Sequence, residues 1–337
     1  MSVLSERKVI KTPKACILLL TLTCNLRCKM CGLWSNDESK LIRPTLKDWM
    51  NIIESFVRFS GPDINIIFGG GEPLLFPDML MKLIAFCKNN RIRTSLATSA
   101  YLLDKQIAED LVSSGLDYIA LTLYSLNEKT HNLLRGMPDS HQKVLKAIEY
   151  LSEYQNHPEI AIDTVIMDPN IDELLDLARW VIQDKRIRSI FFQSVVQPFH
   201  TAPKENWFES QEYKFLWPKD MRKVDFVLDG LIKMKESSLE TKHKINNSLS
   251  QLELFKSYFK APNNFIKKFS CNVTNGEAFT ISPNGDLNIC PYLEPIGNII
   301  GNDLEKIWHS QKADLLRDEI SRCKKNCHHI INCWYEE

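Results

Sequence analysis

No stretch of this sequence is apolar for long enough to cross a bilayer as a helix. The longest such run near its start, Ala15 to Leu22, is roughly half the span of about 20 residues that a membrane helix needs. A signal peptide's cleavage pattern is missing as well. Net charge is also absent: Lys and Arg number 42, as do Asp and Glu, so no global positive field draws the chain to nucleic acid or anionic lipid. There is no internal repeat and no low-complexity tract. Together these absences exclude a membrane anchor, disfavour a nucleic-acid partner and leave a cytoplasmic protein with reduced thiols.

What is present is ordinary for a folded globular chain, with 44% hydrophobic and 25% charged residues over 337 positions. The ten cysteines are the exception. In the cytosol, clustered thiols bind metal or do chemistry more often than they form disulfides. Cys24, Cys28 and Cys31 make one group; Cys271, Cys290, Cys323, Cys327 and Cys333 make another. Cys16 opens a strand and Cys87 sits on the apolar face of a helical stretch, so both read as small core residues.

From residue 15 to about 200, short β-branched runs alternate with amphipathic stretches, the pattern of βα units around a parallel sheet. Six strands are expected at 17–22, 64–68, 92–97, 117–124, 160–166 and 189–196. The chain divides into an N-terminal extension (1–14), a βα core (15–202), a helical bridging region (203–269) and a small C-terminal α+β part (270–337). In that last part AFTI and LNIC flank the hairpin-forming Ser282-Pro283-Asn284-Gly285-Asp286. The aromatic residues from Trp207 to Trp217 fit either a cap over a substrate mouth or packing between subdomains.

Cys24, Cys28 and Cys31, at x3 and x2 spacing, follow directly on the first strand, at the sheet edge where ligands collect. A closed four-iron cluster or structural zinc takes four protein ligands. Three thiols with no fourth nearby leave one metal position open. One βα unit later comes Gly70-Gly71-Glu72-Pro73, whose glycines permit close backbone approach and whose carboxylate suits an ammonium.

With these residues the chain resembles the radical S-adenosylmethionine (radical SAM) superfamily, matching its C-x3-C-x2-C signature and its GGEP element. The resemblance implies a partial (β/α)6 barrel. It also implies a [4Fe-4S] cluster whose open iron chelates the amino and carboxylate groups of S-adenosylmethionine, and a 5′-deoxyadenosyl radical that abstracts hydrogen from substrate. Gly70, Gly71, Glu72 and Pro73 would receive the cofactor's amino group. Met30 would pack by the adenine with Val165 and Ile166 on its other side, although periodicity alone reads all three as core. Thr122 stands where the family has a ribose-facing serine, and Arg135 resembles its following arginine. Two positions depart from the pattern: Ser99, within Thr98-Ser99-Ala100, replaces the asparagine of Thr-Asn-Gly, and Tyr124 replaces an aspartate.

Cys271, then Gly285 and Cys290 at G-x4-C, resemble the start of the auxiliary-cluster extension known as SPASM, or its shortened relative, twitch. Gly297-Asn298, Trp308 and Ser310 fit its following helix. Cys323-x3-Cys327-x5-Cys333 resembles its close, with x3 where x2 is common. Five thiols suffice for one auxiliary [4Fe-4S] cluster. The resemblance implies Cys271, Cys290, Cys323 and Cys327 as ligands, with Cys333 able to replace one of the last two. Zinc held by Cys323, Cys327, His328, His329 and Cys333 is the alternative.

The expected function is reductive cleavage of S-adenosylmethionine and hydrogen abstraction from a peptide or small-molecule substrate, leading to oxidation, crosslinking, epimerisation or rearrangement. A non-catalytic iron-sulfur electron carrier or redox sensor is the rival. Flavodoxin or ferredoxin would donate electrons. About fourteen residues precede the first strand, so a leader-binding domain is expected to be a separate protein. Gln193, Gln197 and His200, on or beside the sixth strand, are candidates for the chamber wall, His200 more simply as a solvated loop residue.

Overall fold

The computed structural model describes residues 12–199, 201–202, 204–265, 277–323 and 331–332, with the backbone alone for Glu240, Asn264 and Phe265. Its first part runs β1 (Ala15–Thr21), α1 (Leu46–Ser60), β2 (Asn65–Gly70), α2 (Pro77–Asn89), β3 (Arg93–Thr98) and α3 (Lys105–Ser114). It continues through β4 (Tyr118–Thr122), α4 (Glu128–Arg135), α5 (Ser140–Ser152), β5 (Glu159–Ile166), α6 (Leu174–Gln183) and β6 (Ile187–Ser194). These six strands are all parallel, ordered β6-β5-β4-β3-β2-β1. The expected α/β architecture is present. β1 and β6 do not pair, so the barrel is partial.

Strand side chains alternate between faces, and burial alternates with them. On β1 Cys16, Leu18 and Leu20 are buried under the helices, whereas Ile17 and Leu19 are half-buried. The same holds on β4, where Ile119 and Leu121 are buried and Ala120 and Thr122 are not. Ala97, on the inner face of β3, is exposed. The helices therefore pack one face of the sheet and the other lines an open lumen. Cys16 and Cys87 lie in the core at 1% and 0% exposure, as their patterns predict, and burial pushes the Cys87 thiol up to about 12.

The bridging region is helical as expected: α7 (Met221–Glu236), α8 (Leu239–Lys244), α9 (Leu249–Lys260) and α10 (Pro262–Phe265). It closes an edge strand that would otherwise present unpaired backbone groups. Ile245 bridges to Ile190, the Asn246 N–H donates to the Ile190 carbonyl, and the Asn247 amide pairs both ways with Phe192 at 2.8 Å each. A fully buried Asn247 thus stands in for a strand residue. Asn247→Asp removes the donor and sets a carboxylate against the Phe192 carbonyl. It should cost about 1–3 kcal/mol, read by urea unfolding of the apoprotein.

Beyond the bridge come β7 (Ala278–Ile281), β8 (Asp286–Asn288), β9 (Gly297–Asn298), α11 (Leu304–Trp308) and α12 (Gln311–Ser321). β7 does not stand apart with its hairpin: it adds in parallel to the free edge of β1, and β8 and β9 continue antiparallel. Phe279 meets Phe56 edge-on at 5.0 Å, and Trp308 packs against Phe59, which ties this part to α1. At the far end Asn332 reaches the other edge of the barrel, where its Oδ1 accepts from the Ser194 N–H at 2.8 Å and its Nδ2 donates to the Ser194 carbonyl at 2.9 Å. The described residues of the C-terminal part therefore contact both edges of the barrel, β7 at β1 and Asn332 at β6.

Candidate active site

β1 delivers the chain into the cysteine loop, and three sets of contacts fix that loop. Glu38, with a side chain only 6% exposed, accepts hydrogen bonds from the Thr21 and Thr23 hydroxyls, the Leu22 N–H and Arg43. Burial works against its charge, but those donors hold the carboxyl below its ordinary range. The last carbonyls of α4, which have no partner within the helix, accept from the loop: Arg27 N–H to the Arg135 carbonyl at 3.2 Å, Lys29 N–H to Leu134 at 2.9 Å. α4 ends on Gly136 at φ +63°, and a Cβ there would lie 2.2 Å from the Arg27 carbonyl oxygen. Gly71 meets the loop from the other side, its hypothetical Cβ 2.0 Å from the Thr23 oxygen.

A cavity of about 380 Å³ opens at the C-terminal ends of the strands. Cys24, Cys28 and Cys31 all line it, together with Met30, Gly70, Gly71, Ser99, Thr122, Arg135 and Val165. Ten of the thirteen residues expected at the first cluster and its cofactor are thus brought together around one cavity. Three are not. Glu72 is fully buried and turns its carboxylate into the protein, where it accepts from Leu74 N–H, Thr98 Oγ1 at 2.7 Å, Ser99 N–H at 2.9 Å and Ser99 Oγ. Pro73 starts the buried turn behind it. Ile166 follows Val165 by one residue and, by strand alternation, points to the helical face.

Arg135 is 5% exposed and has no carboxylate partner among the described residues; it donates to Tyr124 Oη at 3.4 Å with its guanidinium 5.4 Å from that ring's centre. Burial works against its charge, yet the neighbouring Cys28 and Tyr124 overcome this and raise its pKa. Tyr124 therefore occupies the family's aspartate position as a cavity-lining partner of arginine. Burial pushes the Cys31 thiol up to about 11, and the Leu26 N–H donates to Cys24 Sγ at 3.4 Å. Among the described residues no three His, Cys, Asp or Glu side chains converge on a single ion. A cubane asks for something different, since each thiolate takes its own iron, and three thiols lining the same cavity fit that.

Gln193 lines the cavity; Gln197 instead binds Thr201, Ala202 and Lys204 and shapes the loop after β6. His200 lies outside the described residues. Trp207 and Trp217 are buried against one another and line no part of the cavity, which settles their role as packing. Besides Tyr124, the aromatic residues at the cavity are Trp34 and Phe199, 39% and 43% exposed. Sequence pattern gave no signal for them, nor for Glu38 or Asn332, which also lines the cavity. Of the second cysteine group, Cys290 is half-buried beyond β8 and Cys323 is exposed after α12; Cys271, Cys327 and Cys333, with His328 and His329, lie outside the described residues.

Residues 18–181 match the Radical SAM superfamily, and residues 271–334 match SPASM, an iron-sulfur cluster-binding domain. Similar curated proteins include the AdoMet-dependent heme synthase of Methanosarcina barkeri, 29% identical over 46% of this chain and 43% of that protein, so this chain spans under half of that relative's length. The AdoMet-dependent heme synthase of Nitratidesulfovibrio vulgaris is 23% identical over 87% of this chain and 78% of its own. SuiB of Streptococcus suis, solved bound to S-adenosylmethionine and also to precursor peptide SuiA, has a similar fold. In its S-adenosylmethionine complex the TM-score is 0.69 at 18% identity, covering 96% of this chain and 72% of that one. anSMEcpe with bound AdoMet and Cp18Cys peptide gives 0.67 at 17% identity, over 93% and 85%. No helix among the described residues is long and apolar enough to cross a membrane.

Proposed function

The chain belongs to the radical SAM superfamily and carries a C-terminal SPASM iron-sulfur domain, and from that premise we propose that it abstracts hydrogen from a peptide held over the cavity at the strand ends. The group bound at Cys24, Cys28 and Cys31, with S-adenosylmethionine, supplies the 5′-deoxyadenosyl radical. The protein's own part is placement and exclusion of water. Gly70 and Gly71 bring backbone close to the cysteine loop to receive the cofactor's amino group, Arg135 offers its charge to the carboxylate, and Thr122 and Ser99 face the ribose side. Met30 and Val165 flank the adenine. Of the second group, Cys271, Cys290, Cys323, Cys327 and Cys333 supply four ligands to the auxiliary cluster.

One observation favours a peptide over a tetrapyrrole such as a heme synthase handles. A tetrapyrrole brings several carboxylates, yet Arg135 is the one Lys or Arg among the described residues lining the cavity, and it sits on the cysteine side. The rest of the lining offers the Gln193 amide, with Trp34 and Phe199 as apolar surface, while Ser194 and Asn332 are bonded to one another. SuiB and anSMEcpe, of like fold, are both seen with peptides. A reduced cytoplasm, a flavodoxin- or ferredoxin-type donor and a separate leader-binding protein complete the proposal.

The test is anaerobic reconstitution with iron and sulfide, then dithionite and S-adenosylmethionine. 5′-Deoxyadenosine should form, and with a deuterated candidate peptide it should carry the label. Clusters present in full without any 5′-deoxyadenosine would refute the reaction; label arriving from a tetrapyrrole would refute the substrate.

A further inference from the structure

Along β5 the run Ile160–Ile166 contains a single charged residue, Asp163. Alternation places it, with Ala161 and Val165, on the lumen side, and its half-buried state agrees. In the sheet register it stands beside Thr122 of β4 and Phe191 of β6. Parallel neighbours lie about 4.8 Å apart, and Thr122 lines the cavity, as does Val165 two residues further along the strand. Asp163 therefore stands on the lumen side of the sheet, beside Thr122, which lines the cavity.

The carboxylate has no partner there. It forms no side-chain hydrogen bond or ion pair among the described residues, and the lumen-facing groups on both adjoining strands are uncharged: Ala120 and Thr122 on β4, Ser189, Phe191 and Gln193 on β6. Burial, and then the Asp163 charge, push the Tyr118 phenol of β4 up to about 12, so it stays neutral and offers no counter-charge. An isolated charge in a confined lumen is costly unless something pairs with it. The lumen-side residues that flank it in the sheet, Thr122 and Phe191, are neutral and offer it no counter-charge.

We propose that Asp163 is the cation-receiving group of the substrate chamber, holding a protonated amine or guanidinium of the substrate beneath the cofactor. This rests on reading the cavity as the reaction chamber, and it narrows the substrate to one that presents a basic side chain or terminal amine. Arg135 above and Asp163 below then divide the labour, the arginine serving a carboxylate and the aspartate an ammonium. Burial lifts the Asp163 carboxyl to about 6, so the site is charged, and able to bind a cation, at neutral pH and loses that ability as pH falls through about 6.

The test uses the reconstituted, S-adenosylmethionine-loaded enzyme with n-butylammonium as probe and n-butanol as its uncharged counterpart, at matched ionic strength. n-Butylammonium should raise the thermal unfolding midpoint more than butanol at about pH 7.5 and no more than butanol at about pH 5. Asp163→Asn should weaken n-butylammonium binding roughly tenfold or more, and Asp163→Glu should keep part of the response. Without probe, the Asn variant should unfold at a higher temperature than wild type at about pH 7.5, because an ionised carboxylate in the lumen opposes folding above its raised pKa, and this gain should vanish at about pH 4. Equal responses to the two probes, or a response that survives in Asp163→Asn, would overturn the proposal. Formation of 5′-deoxyadenosine in the same wild-type samples reports on the reaction itself, so the two readings fail separately.

Discussion

Replacing Cys24, Cys28 and Cys31 together by alanine should abolish 5′-deoxyadenosine formation and still leave about four irons and four sulfides on the protein. The first half follows from geometry. All three thiols line one cavity, the loop that carries them is fixed by Glu38, Gly71 and the end of α4, and among the described residues no other cysteine lines it. The second half depends on the C-terminal group, whose described members, Cys290 and Cys323, lie away from that cavity wall. Iron and sulfide analysis with EPR of the dithionite-reduced variant is the measurement. Zinc in place of iron would assign that group to a structural metal, and complete loss of iron would mean that it holds no cluster of its own.

The six parallel strands were legible because their residues form short β-branched runs separated by amphipathic helices, and each observed strand falls within or beside its expected run. The cysteine loop was legible because three thiols at fixed spacing after a strand are rare by chance. Other features depend on contacts between distant segments and leave no local trace. Nothing in AFTI says that β7 will extend the barrel sheet in parallel beside β1. Nothing near Asn247 or Asn332 says that each amide will pair with a β6 residue far away in sequence. Asp163 is intermediate: one acid in an otherwise apolar strand is visible in the sequence, but that it stands beside the cavity-lining Thr122 and lacks a partner among the described residues requires its neighbours on β4 and β6. The aromatic cluster at Trp207 to Trp217 shows the converse, since composition fitted cap and core equally and only packing distinguished them.

Glu72 brings the strongest departure from what the motif alone implies, and with it the second large effect. As the receiver of a cofactor ammonium, its loss would weaken S-adenosylmethionine binding and leave the apoprotein intact. The structure sets a different expectation. Its two oxygens take four donors, from Leu74, Thr98 and Ser99 (N–H and Oγ), in a site with no solvent exposure. Those bonds lock the end of β2 to the end of β3 and so hold Gly70 and Gly71 against the cysteine loop. Glu72→Ala strands all four donors, and each buried donor left unpaired costs about 1–3 kcal/mol. The apoprotein should lose at least about 3 kcal/mol by urea unfolding, and cluster incorporation should fall with it. Glu72→Gln keeps the shape but offers only one accepting oxygen; wherever its NH2 group points, it faces a backbone N–H from either Leu74 or Ser99. It should therefore be destabilised too, by about 1–3 kcal/mol, before any cofactor is added. An apoprotein of unchanged stability in both variants, with only the apparent affinity for S-adenosylmethionine reduced, would return Glu72 to the cofactor. The backbone of Gly70 and Gly71, and not the acid between them and Pro73, is what the cavity exposes.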